Sequence, residues 1–320
     1  MSTLSRLFRM TGAFAYMKIQ ELLQYGQNKL KHTKSPHLDA EVLLSYVINK
    51  PREYVLTHSD EDVPADKIKK FNDLITRRAK HEPVAYLINK KEFYGRDFHV
   101  DNRVHIPRPA TEDIVDAIKN KLPADFSGTI ADIGTGSGII AITLALEFPR
   151  ATIIATDISQ DALKVAQQNT TRLNVAERIT FLLGDLLDPL KSPVDIIVAN
   201  LPYGWKGGWT DDREVFFQPK KSFDGGKNGL IYIKKLITDL PNHLNKDGQC
   251  FLEFDPRQKN AIIALLSKTN FKFNIIKDSE NHNRIAFINP RDPSTTFLSD
   301  YTGSHFAQDD VGLLFITYNS

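Results

Sequence analysis

Short apolar segments alternate with helical segments through the second half of the chain, and this alternation restricts the possible folds more than any other feature of the sequence. The predicted strands cover residues 129–133, 152–156, 179–183, 194–199 and 249–254, and the predicted helices between them cover residues 138–148, 160–173 and 229–243. Strands that alternate with helices of this length predict a parallel sheet with helices on both faces. Residues 272–276 and 284–288 lie close enough in sequence to form an antiparallel pair at one end of that sheet. We therefore expect an α/β fold with a Rossmann-like sheet.

The first part of the chain has a different pattern. From about residue 18 to residue 80, apolar residues recur every three or four positions, which predicts a small bundle of helices that each bury one face. Ser35 and Pro36 predict the start of its second helix. Residues 92–106 alternate aromatic and β-branched residues around Gly95, which predicts a β-hairpin that connects the bundle to the sheet. A helix over residues 111–121 then precedes the first strand.

Composition excludes several classes of protein. The 320 residues are 41% hydrophobic and 25% charged, as in folded soluble chains, and no apolar run approaches the roughly 20 residues that cross a bilayer. Cys250 is the one cysteine, so an intrachain disulfide is impossible and we expect a reducing compartment. The net charge is +2, which does not indicate nucleic acid binding by itself. The nine histidines show no metal-ligand spacing, and we predict no metal site.

Charge and targeting leave two alternatives open at the N-terminus. Residues 1–100 contain 17 basic and 12 acidic residues, whereas the remainder contains 24 and 27; a solvated helical surface explains this mild excess better than an RNA partner. Residues 1–16 contain Arg6 and Arg9 but no acidic residue, as in a short mitochondrial transit segment. Because Met17 begins a helical pattern, we favour an N-terminal extension of a cytoplasmic protein, with the mitochondrial matrix as the alternative.

A glycine-rich turn follows the first predicted strand and precedes a helix. Its residues are Gly134, Thr135, Gly136, Ser137 and Gly138. Glycines there allow a tight turn and let a ligand approach the backbone N–H groups at the start of the helix. Asp157 ends the second strand, where a carboxylate can accept hydrogen bonds from both hydroxyls of a ribose. These two features predict a nucleotide-like cofactor, and a nicotinamide cofactor fits them equally well.

Two later segments favour a different chemistry. Asp185 and Leu186 follow the third strand, where they can contact an adenine amino group and cover its ring. Residues 200–203 follow the fourth strand, and they are Asn200, Leu201, Pro202 and Tyr203. A planar amino group is a poor nucleophile, and the Asn200 side-chain oxygen with the Leu201 carbonyl can accept both of its N–H bonds and orient it. Pro202 restricts the backbone there, and Tyr203 offers a flat face.

Together these segments resemble a known family. The chain is similar to the glutamine N5-methyltransferases of the HemK/PrmC type, which use S-adenosylmethionine to methylate the glutamine of the Gly-Gly-Gln motif in peptide chain release factors. The resemblance covers roughly residues 17–288 and extends outside the methyltransferase core. Matching segments include residues 39–44, 77–78, 82–86, 92–95, 106–109, 111–112, 224–226 and 228–230.

The resemblance implies a class I methyltransferase sheet with a small N-terminal helical domain and a connecting hairpin. The implied divisions are an extension (1–16), a helical substrate-docking domain (17–90), a hairpin linker (91–109), a methyltransferase domain (110–289) and a tail (290–320). Gly134 to Gly138, Asp157, Asp185, Leu186 and Asn200 would bind S-adenosylmethionine. Asn200 to Tyr203 would bind the substrate amide. The implied partner is a release factor. We expect the protein to be a monomer that does not bind a membrane.

Departures from the family pattern keep other functions open. Leu201 replaces a usual proline, and the resulting Asn-Leu-Pro-Tyr also occurs in rRNA adenine dimethyltransferases, so an N6-adenine methyltransferase of rRNA or DNA is the alternative. Further departures are His105, Asn89, Gln218 and Asn228. Gln218 and Asn228 make a non-enzymatic scaffold conceivable. Beside the tetrapeptide, Trp205 and Trp209 either clamp a flat substrate or anchor their loop.

Overall fold

The computed structural model describes residues 16–208 and 213–290. The expectations for residues 1–15, for Trp209 and for the tail from residue 291 lie outside the described residues. The division of the remaining chain at residues 90 and 109 stays a prediction.

Five helices form the N-terminal part of the described chain, as the apolar spacing predicts. They span Ile19–Leu30, Pro36–Ile48, Arg52–Thr57, Ala65–Arg78 and Val84–Leu87. Their apolar faces share one core, which includes Leu22, Leu43 and Phe71. The first helix begins two residues later than Met17, because Met17–Lys18 (β1) pairs antiparallel with Asp62–Val63 (β2). The second helix begins at Pro36 as predicted, although the Ser35 hydroxyl makes no capping hydrogen bond.

A β-hairpin follows the helices as predicted, but it ends at Phe98, and residues 99–106 of the predicted hairpin form no strand. Lys91–Phe93 (β3) pairs antiparallel with Arg96–Phe98 (β4). Tyr94 and Gly95, between these strands, have φ values of 52° and 71°, as in the tight turns that match the twist of a hairpin. Phe93 and Phe98 are buried in the core on one face of the large sheet, so apolar packing attaches the hairpin to the rest of the protein.

The large sheet has seven strands in the spatial order β10-β11-β9-β8-β5-β6-β7. These strands are Thr129–Ile133 (β5), Thr152–Asp157 (β6), Ile179–Leu183 (β7), Val194–Ala199 (β8), Leu244–Glu253 (β9), Phe271–Lys277 (β10) and Asn283–Pro290 (β11). Strands β5 to β9 are parallel, and β11 pairs antiparallel with both β9 and β10. The expected parallel sheet with an antiparallel pair at one end is therefore confirmed.

Helices cover both faces of this sheet. They span Glu112–Lys119, Ile139–Glu147, Gln160–Arg172, Ile231–His243 and Lys259–Leu266. Along β5, Ile130 is buried in one core and Ala131 and Ile133 in the other, because successive side chains of a strand point to opposite faces. Single helical turns also occur at Pro109–Thr111, Ala176–Arg178, Arg213–Phe217, Lys220–Ser222 and Pro256–Gln258.

The sequence located β9 less well than the other strands. We expected a strand over residues 249–254, whereas β9 begins at Leu244, directly after the preceding helix. Leu244 pairs with Val194, and the register shifts before Gln249 pairs with Ile196. The segment Asn245-Lys246-Asp247-Gly248 is polar, and backbone pairing with β8 rather than an apolar pattern extends the strand through it.

Candidate active site

A cavity of about 540 Å³ lies at the carboxyl ends of the parallel strands. Parallel strands β5, β6 and β8 end side by side, so the residues that follow each strand meet at one edge of the sheet, where open α/β sheets bind their ligands. Nine of the residues predicted from the sequence line this cavity: Gly134, Gly136, Asp157, Asp185, Leu186, Asn200, Leu201, Pro202 and Tyr203.

Three predicted residues are not among those that line the cavity. Thr135 and Ser137 are buried; the Thr135 hydroxyl donates to Asp132 Oδ2 at 2.6 Å, and the Ser137 carbonyl accepts from Asn169 Nδ2 at 2.9 Å. Gly138 packs against the next helix, where an added Cβ would lie 3.0 Å from Ala166 Cβ. These three residues hold the turn in shape.

Gly136 is the part of the turn that faces open space. Its φ is +57°, and a Cβ added there would have no atom within 4 Å. Its N–H donates to Asp157 Oδ2 at 2.9 Å. The turn therefore presents bare backbone to the cavity, as required where a ligand must approach closely.

Asp157 is held from two sides by the backbone. Oδ2 accepts from Gly136 and Oδ1 accepts from the Ser159 N–H at 2.8 Å. Burial raises the pKa of Asp157, while the two backbone hydrogen bonds and the charge of Lys221 act in the opposite direction. The carboxylate is thus fixed in the cavity wall as a hydrogen-bond acceptor.

Asp132 lies beneath the turn, and the sequence analysis assigned it no role. Its Oδ2 accepts from the Thr135 hydroxyl and from the Ala141 N–H, whereas Oδ1 is buried without a hydrogen-bond partner. Burial raises the pKa of this carboxyl to about 7. Asp132 connects the end of β5 to the first turn of the following helix.

Asp185 and Leu186 form another part of the wall. Lys235 donates to Asp185 Oδ2 at 2.7 Å and to Asp188 Oδ2 at 3.3 Å, so the predicted adenine-contacting carboxylate is already in an ion pair. Leu186 has a φ of +48°, and its carbonyl accepts from the Thr156 hydroxyl at 2.9 Å. This bond stabilises the unusual backbone conformation that places the Leu186 side chain at the cavity.

The tetrapeptide 200–203 is supported by buried residues that do not line the cavity. Asn200 Nδ2 donates to Thr111 Oγ1 at 3.0 Å, which leaves the Asn200 oxygen available as an acceptor. The Leu201 side chain is buried, 3.2 Å from where a Cβ of Gly134 would lie. The Tyr203 hydroxyl donates to Glu253 Oε1 at 3.0 Å.

The backbone after the tetrapeptide is also fixed. Gln258 Nε2 donates to the Tyr203 carbonyl at 3.1 Å and to the Asn228 carbonyl at 3.0 Å. Gly229 lies so close that a Cβ there would be 2.0 Å from the Tyr203 oxygen. The sequence analysis missed Gln258, because a single glutamine in a polar segment has no distinctive pattern.

The departures from the family pattern have local explanations. The Gln218 side-chain oxygen accepts from the Ile106 N–H at 3.1 Å. Burial lowers the pKa of His105 to about 3, and the Gln218 side chain acts in the opposite direction. Asn89 has a φ of +51°, which asparagine tolerates better than most residues. The Asn228 side chain accepts from the Leu230 N–H at 3.4 Å. Gln218 and Asn228 are therefore accommodated by hydrogen bonds and Asn89 by its backbone conformation, whereas His105 Nδ1 is buried without a hydrogen-bond partner.

The Trp205 ring packs against Arg257 and against Gly208 of its own loop. The Arg257 guanidinium lies 4.6 Å from its ring centroid, and a Cβ on Gly208 would be 2.1 Å from its ring. Arg257 and Gly208 line the cavity, whereas Trp205 is not among the lining residues. These contacts support the interpretation that Trp205 anchors its loop.

Asn169 is a further residue whose role the sequence did not reveal. It is fully buried inside a helix, where its side chain donates to the carbonyls of His99 and Ser137 and accepts from the His99 N–H. It therefore ties the glycine-rich turn to the chain that leaves the hairpin. A polar residue among the apolar positions of the helix was the one available signal.

Two family descriptions match the chain. The PrmC N-terminal domain matches residues 21–88, and the methyltransferase small domain matches residues 110–213. A protein of Koribacter versatilis named release factor glutamine methyltransferase is 37% identical over 261 residues, which cover 78% of this chain and 92% of that protein. The chain belongs to the release factor glutamine methyltransferase family. A member from Rhodopirellula baltica is 36% identical over 286 residues, with 83% of this chain and 94% of that protein covered.

Other relatives differ in length or are more distant. A bifunctional methyltransferase of Rickettsia felis is 33% identical over 309 residues, but this chain covers 58% of it. A methyltransferase of known structure from Pyrococcus furiosus is 21% identical, with a TM-score of 0.48, over 67% of this chain and 97% of that one. Across residues 16–208 and 213–290, no helix could cross a membrane, and no group of three or more His, Cys, Asp or Glu side chains is arranged to hold a metal ion.

Proposed function

We propose that this protein methylates the side-chain amide nitrogen of the glutamine in the Gly-Gly-Gln motif of a peptide chain release factor, with S-adenosylmethionine as methyl donor. The observation that carries the proposal is the arrangement of Asn200. Its amide nitrogen is bonded to Thr111 and it lines the cavity, so its oxygen remains as an acceptor for an N–H of the substrate.

The cavity suits the proposed methyl donor. S-adenosylmethionine supplies a methyl group on a positively charged sulfur. Gly136 leaves open space where a Cβ would stand, Asp157 offers a fixed carboxylate to ribose hydroxyls, and Leu186 adds an apolar surface. We propose that these residues bind the donor, together with Gly134 and Asp185. Thr135, Ser137 and Gly138 would act by supporting the turn.

The tetrapeptide suits a neutral amide as acceptor of the methyl group. The lone pair of an amide nitrogen is delocalised, so the protein must fix the nitrogen in line with the methyl group. The Asn200 oxygen and the Leu201 carbonyl accept its two N–H bonds in this proposal, and Tyr203 lies against its plane. The nitrogen forms a bond to the methyl carbon as the carbon–sulfur bond breaks, the demethylated donor leaves, and the methylated nitrogen loses one proton to solvent. Catalysis then comes from orientation and from exclusion of bulk water, without a covalent intermediate.

Replacement of Asn200 tests its role. Asn200→Ala removes one of the two acceptors, and we expect turnover to fall by about 10²-fold or more, the scale that loss of an orienting contact produces. Calorimetry should find S-adenosylmethionine affinity little changed, because Asn200 is only one of the residues expected to bind the donor and the glycine-rich turn and Asp157 remain. Near-normal turnover in a folded variant would contradict the assignment of Asn200.

The names and coverage of the relatives support a release factor as substrate, and so do the N-terminal helices that match the PrmC N-terminal domain. An adenine substrate is supported only by Leu201 and by the mild excess of basic residues in the first 100, which is weak support because sequence-independent RNA affinity normally shows a denser basic stripe. The test uses a labelled methyl donor with purified release factor, with the same factor after replacement of its Gly-Gly-Gln glutamine, and with protein-free rRNA and DNA. Label on the intact factor only is the expected result. Label on nucleic acid, or equal label on the replaced factor, would refute the proposal.

We further propose a monomeric enzyme that works where its substrate is made. That compartment is the cytoplasm, or the mitochondrial matrix if residues 1–16 act as a transit segment. Light scattering and localisation of a tagged full-length chain test both points; a stable dimer or a secreted product would contradict them.

A further inference from the structure

An exposed aromatic side chain lies at the rim of the cavity, and the proposed function gives it no task. Phe216 is 72% exposed and belongs to the single helical turn Arg213–Phe217. Val215, directly before it in the chain, and Pro219, three residues after it, both line the cavity, whereas Phe216 does not. The Phe216 ring is therefore beside the cavity but outside it, in contact with solvent.

The chain that carries this turn begins and ends beside the substrate tetrapeptide. Gly204, the residue after Tyr203, donates its N–H to the Phe223 carbonyl at 2.8 Å, and its own carbonyl accepts from the Gly225 N–H at 2.7 Å. These two hydrogen bonds close the intervening chain into a loop. The turn thus belongs to a loop whose base adjoins the residues proposed to bind the acceptor amide.

A buried ion pair fixes the start of the turn to the N-terminal helices. Arg78 is 3% exposed, and its Nη2 donates to Glu214 Oε1 at 2.7 Å. On the side of the helices, Arg78 Nε donates to Asp39 Oδ2 at 2.7 Å and Nη1 donates to the Glu82 carbonyl at 3.1 Å. Because the guanidinium is bonded in three directions, it holds Glu214 in one position relative to the helices.

The residue after the turn is fixed as well. Gln218 is buried, its side-chain oxygen accepts from the Ile106 N–H at 3.1 Å, and its N–H donates to the Val215 carbonyl at 3.0 Å. A single exposed apolar side chain is ordinary and indicates nothing by itself. Phe216, however, is held from both sides at the rim of the cavity, and a residue that is already fixed loses little conformational freedom when it binds a partner.

We propose that the turn Arg213–Phe217 is a docking element for the protein substrate, in which Phe216 packs against an apolar side chain of the release factor and the Arg78–Glu214 ion pair holds the turn in place. A cavity of about 540 Å³ has room for the donor and for one side chain of the acceptor. The rest of a protein acceptor must then lie against the rim, where Phe216 is. The inference rests on the proposed function for the identity of the partner.

Phe216→Ser tests the contact. Calorimetry measures binding of the intact release factor in the presence of the demethylated donor, so that no methyl transfer takes place. We expect the affinity to fall about tenfold, the scale of a well-packed aromatic contact, and Phe216→Leu should recover most of it. Leu56→Ser is the matched control, because Leu56 is 49% exposed on the helix Arg52–Thr57 and does not line the cavity; its affinity should stay within about twofold.

Glu214→Gln tests the ion pair. We expect release factor affinity to fall about threefold to tenfold as the turn loses its anchor, with S-adenosylmethionine affinity unchanged because Glu214 does not line the cavity. Glu82→Gln is the control, since it weakens a neighbouring ion pair in which Arg77 Nε donates to Glu82 Oε2 at 2.8 Å and which includes no residue of the turn. The double variant Glu214→Gln, Phe216→Ser should bind no more weakly than Phe216→Ser, because the ion pair acts by holding Phe216.

Three results would overturn the inference. The first is equal release factor affinity in Phe216→Ser and Leu56→Ser. The second is a wild-type dimer in sedimentation that Phe216→Ser dissociates, because Phe216 would then contact a second copy of this chain. The third is protein-free rRNA whose binding weakens in Phe216→Ser while release factor binding does not. Additive losses in the double variant would overturn the role given to the Arg78–Glu214 ion pair.

Binding and methyl transfer are separate readouts, so the inference and the proposed function can fail independently. A wild type that binds the release factor through Phe216 but transfers no methyl group to it would refute the proposed function and support the docking element. A wild type that methylates the factor, with equal binding by Phe216→Ser, would refute the docking element alone. A wild type that neither binds nor methylates the factor would refute both.

Discussion

Gly136 and Gly138 lie in the same turn and both have positive φ, but alanine should damage them in different ways. In Gly138→Ala, the φ of +81° costs about 1–2 kcal/mol for a residue with a Cβ. The new Cβ would also lie 3.0 Å from Ala166 Cβ, 3.1 Å from Ile142 Cδ1 and 3.3 Å from Ala166 Cα. The last of these is backbone and cannot move aside, so overpacking adds about 1–3 kcal/mol. We expect the free energy of unfolding to fall by about 2–5 kcal/mol.

Gly136→Ala is the matched control. Its φ is +57° and the Cβ meets no atom within 4 Å, so only the backbone cost of about 1–2 kcal/mol remains. The Cβ would instead occupy space on the cavity side of the turn, and we expect S-adenosylmethionine affinity to fall about tenfold or more. In Gly138→Ala, the affinity of the folded protein should change by less than about threefold.

Urea unfolding and calorimetry measure the two effects on the same preparations. The expected result is a crossed pattern, in which Gly138→Ala loses more stability and Gly136→Ala loses more affinity. Equal losses of stability would show that the contacts with Ala166 relax at little cost. Unchanged affinity in Gly136→Ala would refute the reasoning that a bare backbone at this position serves the ligand.

Three further predictions concern the cavity and the residues that support its walls. Asp157→Ala should weaken S-adenosylmethionine and its demethylated product together by about 1.5–3 kcal/mol for each charged hydrogen bond lost, and calorimetry of the wild type should find no affinity for NAD; tight NAD binding would contradict the donor assignment. Burial raises the pKa of Asp132 from 3.8 to about 7, so folding favours the protonated carboxyl. This contribution to the free energy of unfolding is fully present below about pH 3.8 and is lost as the pH rises through 7, and the loss is at most about 4 kcal/mol. Urea unfolding at pH 5 and pH 8 should therefore show Asp132→Asn gaining stability relative to the wild type at the higher pH, and an equal difference at both values would speak against this. Gln258→Leu leaves the Tyr203 and Asn228 carbonyls without the amide group that donates to both. Steady-state kinetics should therefore show kcat about tenfold lower with S-adenosylmethionine affinity unchanged. Weaker S-adenosylmethionine binding with unchanged kcat would contradict this role of Gln258.

The sequence alone determined the elements whose signals are local. Strands at Thr129–Ile133, Ile179–Leu183 and Val194–Ala199 lie where they were predicted, because runs of apolar and β-branched residues bounded by glycine or polar residues carry that information within a few positions. The glycine-rich turn and the tetrapeptide were found for the same reason. Since parallel strands end at one edge of a sheet, the order of elements brings these motifs together.

Tertiary structure decided which residues support that site. Thr111 is 89 residues from Asn200, and Glu253 is 50 residues from Tyr203; nothing in the local pattern of either indicates its partner. The ion pair of Lys235 with Asp185 also depends on the fold, and so does the difference between Gly136, which faces open space, and Gly138, which packs against a helix. Side-chain hydrogen bonds and close packing depend on which strands and helices become neighbours and on their register, and only the folded chain fixes these at the scale of a single bond.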